Sequence, residues 1–521
     1  MLPMFAALAF LLAITPHAIR AHVNYLASDI LEGRETGTRG YDVAAAYVAA
    51  QFEAAGAEPA GDGGTYYHPV RFRTLLLDPA RSSFAIDGKA LEHRKDVLIY
   101  SGLEPASEVE APVVFAGFGI VAPELGHDDY ANVDVRGKIV AILTGAPPRF
   151  PHSQRAYYSS GTVKLANASE RGAVGALTIR TLESERRFPW ARMISSGESV
   201  AMNALDRNGQ AMETFPRLRG SASLGPAAAQ ALFAGERATA DAIFAAAEKG
   251  IAQPFALQKR VAIRTATALG ETTSPNVVAI VRGSELPNEH VVVTAHLDHL
   301  GITDRGADRI RNGALDNASG IAALIEMARA AAAMQPRPRR SIVFAAVTGE
   351  EKGLQGSMAF ADRPSIDGTI VANVNMDMIT MLFPMKSIVI LGLEHSTLAP
   401  LARAAAERNG FTIQDDPLPE EVRFIRSDQF RFVEKGIPAI TYKGGFASAD
   451  PAVDGEKLTR DWLRNIYHSA ADGPDQKLDY ASGARWARTN LDLAVAIANA
   501  KERPRWNEGD FFGKKFGPAR R

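Results

Sequence analysis

Polar side chains follow directly on an apolar, β-branched run near the middle of the chain. Residues 291–294 read Val-Val-Val-Thr, and residues 296–299 read His-Leu-Asp-His before Gly301. Such a run is typical of a buried strand, and ligands in open α/β sheets bind beyond the carboxyl ends of strands. His296 with Asp298 two residues later suggests a metal ligand and the acid that orients it. A histidine that merely closes the strand in a hydrogen-bonded loop is the alternative, and this stretch alone leaves both open.

Four further clusters of polar residues follow, mostly at predicted strand ends. They contain Asp316 in the glycine-flanked loop 312–320, the acids Glu350 and Glu351 after the apolar strand 341–347, Asp377 at the end of the stretch 370–378, and His468. Each has a structural alternative. Asp316 could cap a helix, and the paired glutamates could begin one. Asp377 is harder to explain in this way, because an ionised carboxylate in an apolar strand needs a partner or a metal.

Taken together, these clusters supply two imidazoles and at least three carboxylates. The chain has no cysteine, so a metal would be held by His, Asp and Glu. Nitrogen and oxygen donors suit zinc, and one shared carboxylate would give each of two ions three protein ligands. One of the adjacent acids Glu350 and Glu351 would then remain as a proton shuttle, and the residue types do not decide which one.

The elements needed to position these residues follow an α/β pattern after residues 272–275. Strands are predicted at 276–281, 291–294, 341–347, 370–378 and 437–442, and helices at 317–332, 354–361, 398–408 and 484–500. Residues 22–56 are predicted to be largely helical, with a structured turn at 26–34. The segment of about 105–255 mixes glycine-rich strands with helices and is predicted to be a separate small domain.

Composition limits the function classes. A chain of 521 residues predicts two or three domains, and 46% apolar with 22% charged residues is typical of a soluble globular protein. The net charge of -1 does not favour nucleic acid as a partner. The apolar run at the N-terminus predicts a signal peptide at 1–21 and export to the periplasm or medium. No later stretch is long and apolar enough to span a membrane.

Five motifs resemble, in order, those of the co-catalytic zinc aminopeptidases, a family that includes bacterial leucyl aminopeptidases and aminopeptidase Y and is distantly related to the transferrin receptor. They are His296-x-Asp298, residues 313–320 (Gly-Ala-Leu-Asp-Asn-Ala-Ser-Gly), residues 350–357 (Glu-Glu-x-Gly-Leu-x-Gly-Ser), residues 375–378 (Asn-Met-Asp-Met) and Tyr467-His468. The resemblance implies a mixed, mostly parallel sheet with helices on both faces. It also implies a peptidase domain formed by 22–104 and 256–521, interrupted by a β-rich protease-associated domain at 105–255.

The resemblance assigns roles to individual residues. It implies two Zn²⁺ ions bridged by Asp316, with His296 and Asp377 completing one position and Glu351 and His468 the other. Glu350 would be the general base, and Asp298 would orient His296. His299 is interpreted as a structural residue rather than a ligand. Many relatives carry histidine where this chain has Gln429.

The implied activity is zinc-dependent removal of N-terminal residues from peptides, with a peptide or aminoacyl compound as substrate. A dipeptidase, an aminoacylase-like enzyme or a glutaminyl-cyclase-like enzyme on the same scaffold are alternatives. A non-catalytic, receptor-like binding protein is a further alternative. The ligand set argues against this last reading, since a protein without catalysis has no physical need for these acids.

Overall fold

A computed structural model describes residues 14–195, 200–304 and 306–517. The chain divides into two compact units. The first combines the chain up to Arg71 with the chain from Thr272 onward, and the second is Phe72–Glu271. Every predicted metal ligand and catalytic residue belongs to the first unit.

The first unit is built around a mixed sheet. In spatial order its strands are Glu58–Pro59, the last residues of Phe255–Val281, Arg340–Val347, Leu286–His296, Thr369–Asn375, Ala439–Gly444, Ser387–Leu391 and Thr412–Gln414. The four strands from Arg340–Val347 to Ala439–Gly444 run parallel to one another. Antiparallel neighbours flank them on both sides. The predicted mixed, mostly parallel sheet is confirmed.

Helices cover both faces of this sheet, as the alternation of side chains shows. Val277 and Ala279 face the larger apolar core, whereas Val278 and Ile280 face a smaller one. The larger core contains residues from Pro16–Leu26, Arg39–Ala54, Ser319–Ala332, Ala399–Arg408 and Tyr480–Asn499, and the smaller one from Gln355–Asp362 and Gln429–Val433. Helices Gly455–Asn465 and Phe511–Phe516 also belong to this unit. Burial on both faces explains the nearly continuous apolar sequence of the central strands.

The N-terminal helix Pro16–Leu26 is part of the larger core. Ile14 and Ile19 are almost completely buried there. Residues 1–13 of the predicted signal peptide lie outside the described residues, and residues 14–21 lie within the folded unit. The predicted boundary at residue 21 therefore falls inside a packed helix. Within the described ranges, no helix has both the length and the apolar composition needed to cross a bilayer.

The second unit has its own sheet and core. In spatial order the strands are Lys89–Leu91, Ser83–Ile86, the first residues of Phe255–Val281, Ala106–Phe115, Ile139–Leu143, Gly175–Ile179, Ser221–Leu224 and Val97–Ile99. Ala201–Ala204 pairs with the end of Tyr67–Leu77, and Val121–Ala122 pairs with His127–Asp128. Its helices are His152–Ser159, Gly161–Glu170, Leu182–Arg187, Trp190–Ser195, Pro226–Phe233 and Ala240–Glu248.

The bounds of this unit differ from the predicted 105–255. The sequence prediction assigns residues 22–104 to the peptidase domain, but Ile86 pairs with Val261 and Ile99 pairs with Ala222. This pairing places the strands in the second unit, which therefore begins at Phe72 and ends at Glu271. Its identity as a protease-associated domain stays a prediction.

Candidate metal centre

Three neighbouring parallel strands bring predicted ligands to one edge of the sheet. His296 is the last residue of Leu286–His296. Glu350 and Glu351 follow the adjacent strand Arg340–Val347, and Asp377 lies two residues beyond Thr369–Asn375 on the other side. The predicted strand 370–378 thus ends earlier, at Asn375, and Asp377 lies in the loop that follows it. The carboxyl ends of parallel strands share one sheet edge, which is why residues distant in sequence meet here.

Asp316, the predicted shared ligand, lies between Gly313 and the helix Ser319–Ala332. Gly313 has a φ of 61°, and a Cβ there would lie 2.2 Å from the Asp316 carbonyl oxygen, so only glycine fits. The Asp472 carboxylate accepts hydrogen bonds from the backbone N–H groups of Leu315 and Asp316, at 2.9 and 3.0 Å. These bonds fix the loop that carries Asp316.

Asp316 does not cap the following helix, although its position allowed that reading. The side-chain oxygen of Asn317 accepts a hydrogen bond from the N–H of Gly320 at 3.0 Å and occupies this role instead. The Asp316 carboxylate is directed toward His296 and His468. The interpretation of Asp316 as a ligand is therefore consistent with its orientation.

The first candidate metal position is formed by His296, Asp316 and Asp377. His296 Nε2 lies 3.3 Å from Asp316 Oδ1 and 3.4 Å from Asp377 Oδ1. A tetrahedral zinc ion with bonds of 2.0–2.2 Å separates neighbouring ligand atoms by about 3.3–3.6 Å. The two separations from His296 Nε2 therefore match the edges of a tetrahedron around zinc, and all three donor atoms lie within 4.8 Å of one another.

The second candidate position is formed by the other oxygen of Asp316 together with Glu351 and His468. His468 Nε2 lies 3.2 Å from Asp316 Oδ2 and 3.3 Å from Glu351 Oε1. These separations again match the edges of a tetrahedron around zinc. His468 follows the helix Gly455–Asn465, and its ring stacks on Tyr467 with 3.7 Å between centroids.

Asp316 therefore presents one carboxylate oxygen to each position. Burial would raise its pKa, but hydrogen bonds from His296 and His468 hold the pKa well below its usual range. Burial would likewise lower the pKa of His468, but Glu351 and Asp316 raise it to about 10. In the metal-free protein, protons on the imidazoles thus balance the carboxylates. Metal ions would replace these protons, so binding should release them.

Glu350 lies beside the predicted ligand Glu351 and differs from it in electrostatic environment. Burial raises the pKa of Glu350 well above its ordinary value, and Glu351 and Asp377 add to the effect. In contrast, burial would raise the pKa of Glu351, but His468 and a hydrogen bond from His299 lower it to about 2. Adjacent carboxyls with opposed proton affinities are typical of one acting as ligand and the other as proton shuttle.

The structure corrects the expected role of Asp298. Its backbone carbonyl, rather than its carboxylate, lies 3.1 Å from His296 Nδ1 and orients the ring. The carboxylate instead accepts hydrogen bonds from the backbone N–H groups of Glu350 and Glu351, at 3.1 and 3.2 Å. The loop turns after Leu297 so that the side chain faces the neighbouring strand end. Asp298 therefore positions both glutamates.

His299 lies closer to the centre than expected. Its Nδ1 lies 2.9 Å from Glu351 Oε1 and 4.0 Å from Asp316 Oδ2. The first distance is that of a hydrogen bond and the second exceeds a tetrahedral edge, so the geometry favours a donor to Glu351 over a ligand. Gln429 is buried and accepts a hydrogen bond from the Asn375 side chain at 2.7 Å, so it supports the strand end rather than facing substrate.

Several contacts around the ligands have no clear signal in the sequence. Lys443 lies 3.2 Å from Asp377 Oδ2. Arg34 and Thr36, from the N-terminal part of the chain, contact the loops that carry His296 and Asp316 and the carboxylate of Asp298. The sequence marks residues 26–34 only as a structured turn, because nothing in the residue types shows which distant loop the turn contacts.

A cleft that is open to solvent has Asp377 in its lining and a cavity volume of about 90 Å³. Its lining combines apolar side chains with the basic groups of Arg423, Arg426 and Lys443. Each of these cations is close to an acid, respectively Asp416, Glu421 and Asp377. The cleft therefore places a partly apolar space that is open to solvent beside Asp377 of the candidate centre.

Comparison with known proteins bears directly on this centre, since residues 276–494 match peptidase family M28. The part of the chain that carries the candidate centre is thus similar to this peptidase family. All seven predicted ligand and catalytic residues lie inside the matched segment. The resemblance to zinc aminopeptidases that the five motifs indicate is thereby confirmed.

Individual relatives support a metallopeptidase assignment. A probable zinc metalloprotease of Leptosphaeria maculans is 48% identical over 84 residues, which are 16% of this chain and 19% of that protein. Aminopeptidase NAALADL1 of Mus musculus is 34% identical over 111 residues, 20% of this chain and 14% of that one. The chain thus spans about a fifth or less of the length of these curated relatives. An aminopeptidase from Aneurinibacillus sp. strain AM-1 shares the fold, with a TM-score of 0.53, 18% identity and 95% coverage of both chains.

Proposed function

We propose that the protein is a zinc-dependent aminopeptidase that hydrolyses N-terminal residues from peptides. The observation that carries this proposal is the orientation of Asp316, whose two oxygens belong to two separate sets of donor atoms. In both sets the separations between histidine nitrogen and carboxylate oxygen match the edge of a tetrahedron around zinc. Both sets contain only nitrogen and oxygen donors, which suits a pair of zinc ions. Adjacent clusters that share a carboxylate are typical of two-metal hydrolases.

His296 and Asp377 would hold one ion and Glu351 and His468 the other, with Asp316 between them. Bound there, two zinc ions would lower the pKa of a water molecule and offset the negative charge that develops on the scissile carbonyl oxygen. The chain's own contribution is to fix these donors. Asp298 holds the turn that carries Glu351, and Asp472 holds the loop that carries Asp316. Both loops are thus positioned before metal arrives.

Glu350 is the group best placed to move protons. Its neighbour Glu351 is engaged by His468 and His299, whereas burial favours the protonated form of Glu350. The positive charge of bound metal would favour the ionised form of Glu350. Its carboxylate oxygen would then take a proton from the attacking water and deliver it to the leaving amine. The cleft next to Asp377 would receive the side chain at the N-terminus of the substrate.

The Glu350→Gln variant tests this assignment. The amide keeps the shape of the side chain but cannot take up the proton, so kcat should fall by about 10²–10⁴-fold while zinc binding is retained. Metal content measured by atomic emission and turnover of aminoacyl-anilides check the two parts separately. Glu407→Gln, at an exposed helix position of the same unit, serves as the matched control.

Near wild-type turnover by Glu350→Gln would contradict its role as base. A zinc content of one ion per chain in the wild-type protein would contradict the shared carboxylate. Dipeptides, N-acyl amino acids and N-terminal glutamine peptides should be assayed beside the anilides. Preferential turnover of any of these would replace the aminopeptidase assignment with the corresponding activity.

Export of the protein is part of the same proposal and is supported by the apolar N-terminal run. Because Ile14 and Ile19 are buried in the core, we expect processing to occur before residue 14 rather than at residue 21. N-terminal sequencing of protein recovered from the periplasm or medium tests this. A mature chain that begins at His22 would contradict the expected position.

A further inference from the structure

The C-terminal part of the chain, beyond the matched residues 276–494, is rich in aromatic side chains. Residues 505–516, which we call the strap, end in the helix Phe511–Phe516. Much of the strap is exposed to solvent, but the side chain of Phe512 is completely buried. The surroundings of Phe512 should therefore show what the strap is attached to.

Hydrogen bonds attach the strap to two loops of the first unit. The backbone N–H of Asn507 donates to the carbonyl oxygen of His395 at 2.9 Å. Trp506 Nε1 donates to the carbonyl oxygen of Gly436 at 2.8 Å. A side-chain contact adds to these bonds, since His395 Nδ1 lies 2.6 Å from Asp510 Oδ2. The strap is thus fixed both before and at the start of its helix.

Phe512 lies in a cluster of aromatic rings. Its ring centroid is 4.8 Å from that of His395 and 5.5 Å from that of Phe424. The rings of His395 and Phe424 are themselves 5.2 Å apart, and Phe430 lies 6.0 Å from Phe512. These separations are typical of favourable aromatic pairs. Phe512 therefore contacts Phe424 both directly and through His395.

Phe424 belongs to one wall of the cleft beside the candidate centre. We define this wall as residues 418–427, which supply to the cleft lining the residues Leu418, Glu421, Arg423, Arg426 and Ser427. The side chain of Phe424 is buried in the aromatic cluster. The wall therefore contacts the strap through Phe424 and lines the cleft through the neighbours of Phe424.

The wall has little regular structure of its own. It contains two short turns, Pro419–Glu421 and Arg423–Ile425, joined at Val422, which has a φ of 46°. A β-branched residue rarely adopts a positive φ, so the surrounding packing must hold this conformation. Gln429 supplies part of the support, because its Nε2 donates to the carbonyl oxygen of Phe424 at 2.7 Å. The aromatic cluster supplies a second contact to the same residue.

We propose that Phe512 is a positioning residue that sets the shape of the substrate cleft through Phe424. This inference rests on the proposed function, in which the cleft receives the N-terminal side chain of the substrate. The strap holds the wall in the conformation that binds this side chain. Because Phe512 acts on the cleft rather than on the metal ligands, its loss should raise KM and leave kcat and zinc content unchanged.

Phe512→Leu tests this role, with Phe52→Leu as the matched control. Leucine keeps an apolar side chain but lacks the flat ring that contacts Phe424. Phe52 is also completely buried, but it lies in the helix Arg39–Ala54 of the larger core. In Phe512→Leu we expect KM for aminoacyl-anilides to rise by about tenfold, since a displaced wall no longer fits the substrate. Phe52→Leu should lower Tm without changing KM.

Hydrogen exchange of the zinc-loaded protein gives a readout that needs no substrate. In Phe512→Leu, peptides covering the wall should exchange faster, whereas peptides from Arg39–Ala54 should not. The reverse is expected in Phe52→Leu. Asp510→Asn is a second variant that disturbs the core less, because asparagine can still cap the helix while the attachment to His395 weakens. It should shift KM and exchange in the same direction as Phe512→Leu.

The outcomes separate this inference from the proposed function. An unchanged KM in both strap variants, or an unchanged exchange rate of the wall, would overturn the role of Phe512. A fall in kcat with loss of zinc would also overturn it, since the strap would then act on the metal centre. Absence of aminoacyl-anilide turnover in the wild type would instead overturn the proposed function. The exchange rates would still show whether the strap holds the wall.

Discussion

At the scale of single residues, the His299 imidazole can be interpreted either as a metal ligand or as a hydrogen-bond donor to Glu351. It lies with Asp316 and Glu351 within 4.8 Å, so proximity alone would make it a candidate ligand. Its separation of 2.9 Å from Glu351 is, however, that of a hydrogen bond. Gly313, which has no side chain, leaves room for the His299 ring. We therefore expect His299 to support Glu351 rather than to bind metal.

Replacement of His299 tests this role. His299→Leu removes the donor and should weaken zinc binding at the Glu351 position by about 10–100-fold, the usual effect of losing a ligand's hydrogen-bond partner. His299→Asn places an amide donor near the position of Nδ1 and should retain most of the affinity. Chelator competition measures both variants. If His299 is a ligand, Asn should lose as much affinity as Leu.

The residue types alone identified the candidate ligands but not the orientation of their neighbours. His296, Asp316, Asp377 and His468 could be chosen because their chemistry and their places at strand ends are visible in the sequence. Which atom of Asp298 faces His296 depends on the path of the loop after Leu297. Whether the backbone carbonyl or the carboxylate of Asp298 faces the ring depends on torsion angles in this loop. The residue types do not determine these angles.

At the scale of elements, the segment Gly33–Thr36 supports the loops that carry His296 and Asp316. The Arg34 guanidinium is buried and donates to the carbonyl oxygens of Leu297 at 2.9 Å, Asn312 at 2.6 Å and Gly313 at 3.0 Å, and also to that of Leu26. Burial lowers the pKa of Arg34 to about 10, so it stays charged at neutral pH. Thr36 Oγ1 donates to Asp298 Oδ2 at 3.2 Å. This segment lies outside the matched residues 276–494.

We expect Arg34→Lys to weaken both folding and metal binding. A single ammonium cannot reach all four carbonyl oxygens, and each buried carbonyl left unpaired costs about 1–3 kcal/mol. Because the carbonyls belong to the loops that carry His296 and Asp316, the rise in Tm on adding zinc should also shrink. Calorimetry with and without zinc measures both effects.

Arg39→Lys, at an exposed position five residues later, is the matched control for Arg34→Lys. A variant that is less stable but shows an undiminished zinc-dependent rise in Tm would limit Arg34 to a structural role. The hydrogen bonds of Arg34 could not be predicted from the sequence. Arg34 and Leu297 are separated by 263 residues, and periodicity in the sequence informs only about residues close along the chain.

At the scale of the whole molecule, periodicity located both units but misplaced their boundary. The sequence prediction places residues 83–86 in the first unit, together with the rest of 22–104. Only their pairing with 261–264 assigns them to the second one. The two antiparallel partners are about 175 residues apart, a separation at which sequence pattern carries no pairing information.

Lys164 is a buried lysine in the second unit, and it should make the stability of this unit depend on pH. Lys164, in the helix Gly161–Glu170, donates to the carbonyl oxygens of Leu143, at 2.7 Å, and Gly145. Burial lowers its pKa to about 7 from 10.5, with Asp129 opposing the shift. Below pH 7 the amine is charged in both states, and its burial opposes folding in full. As the pH rises from 7 toward 10.5, only the folded state loses the proton, so stability should increase.

The difference in stability between Lys164→Met and the wild type should therefore depend on pH. Between pH 6.5 and 9.5 the wild type should gain stability relative to the variant, because methionine has no proton to lose. Urea unfolding followed by hydrogen exchange of peptides from Phe72–Glu271 measures this difference for the second unit alone. Lys249→Met, at an exposed position of the same unit, should show a constant difference across this range. Parallel pH profiles for the wild type and Lys164→Met would show that Lys164 keeps its proton in the folded protein.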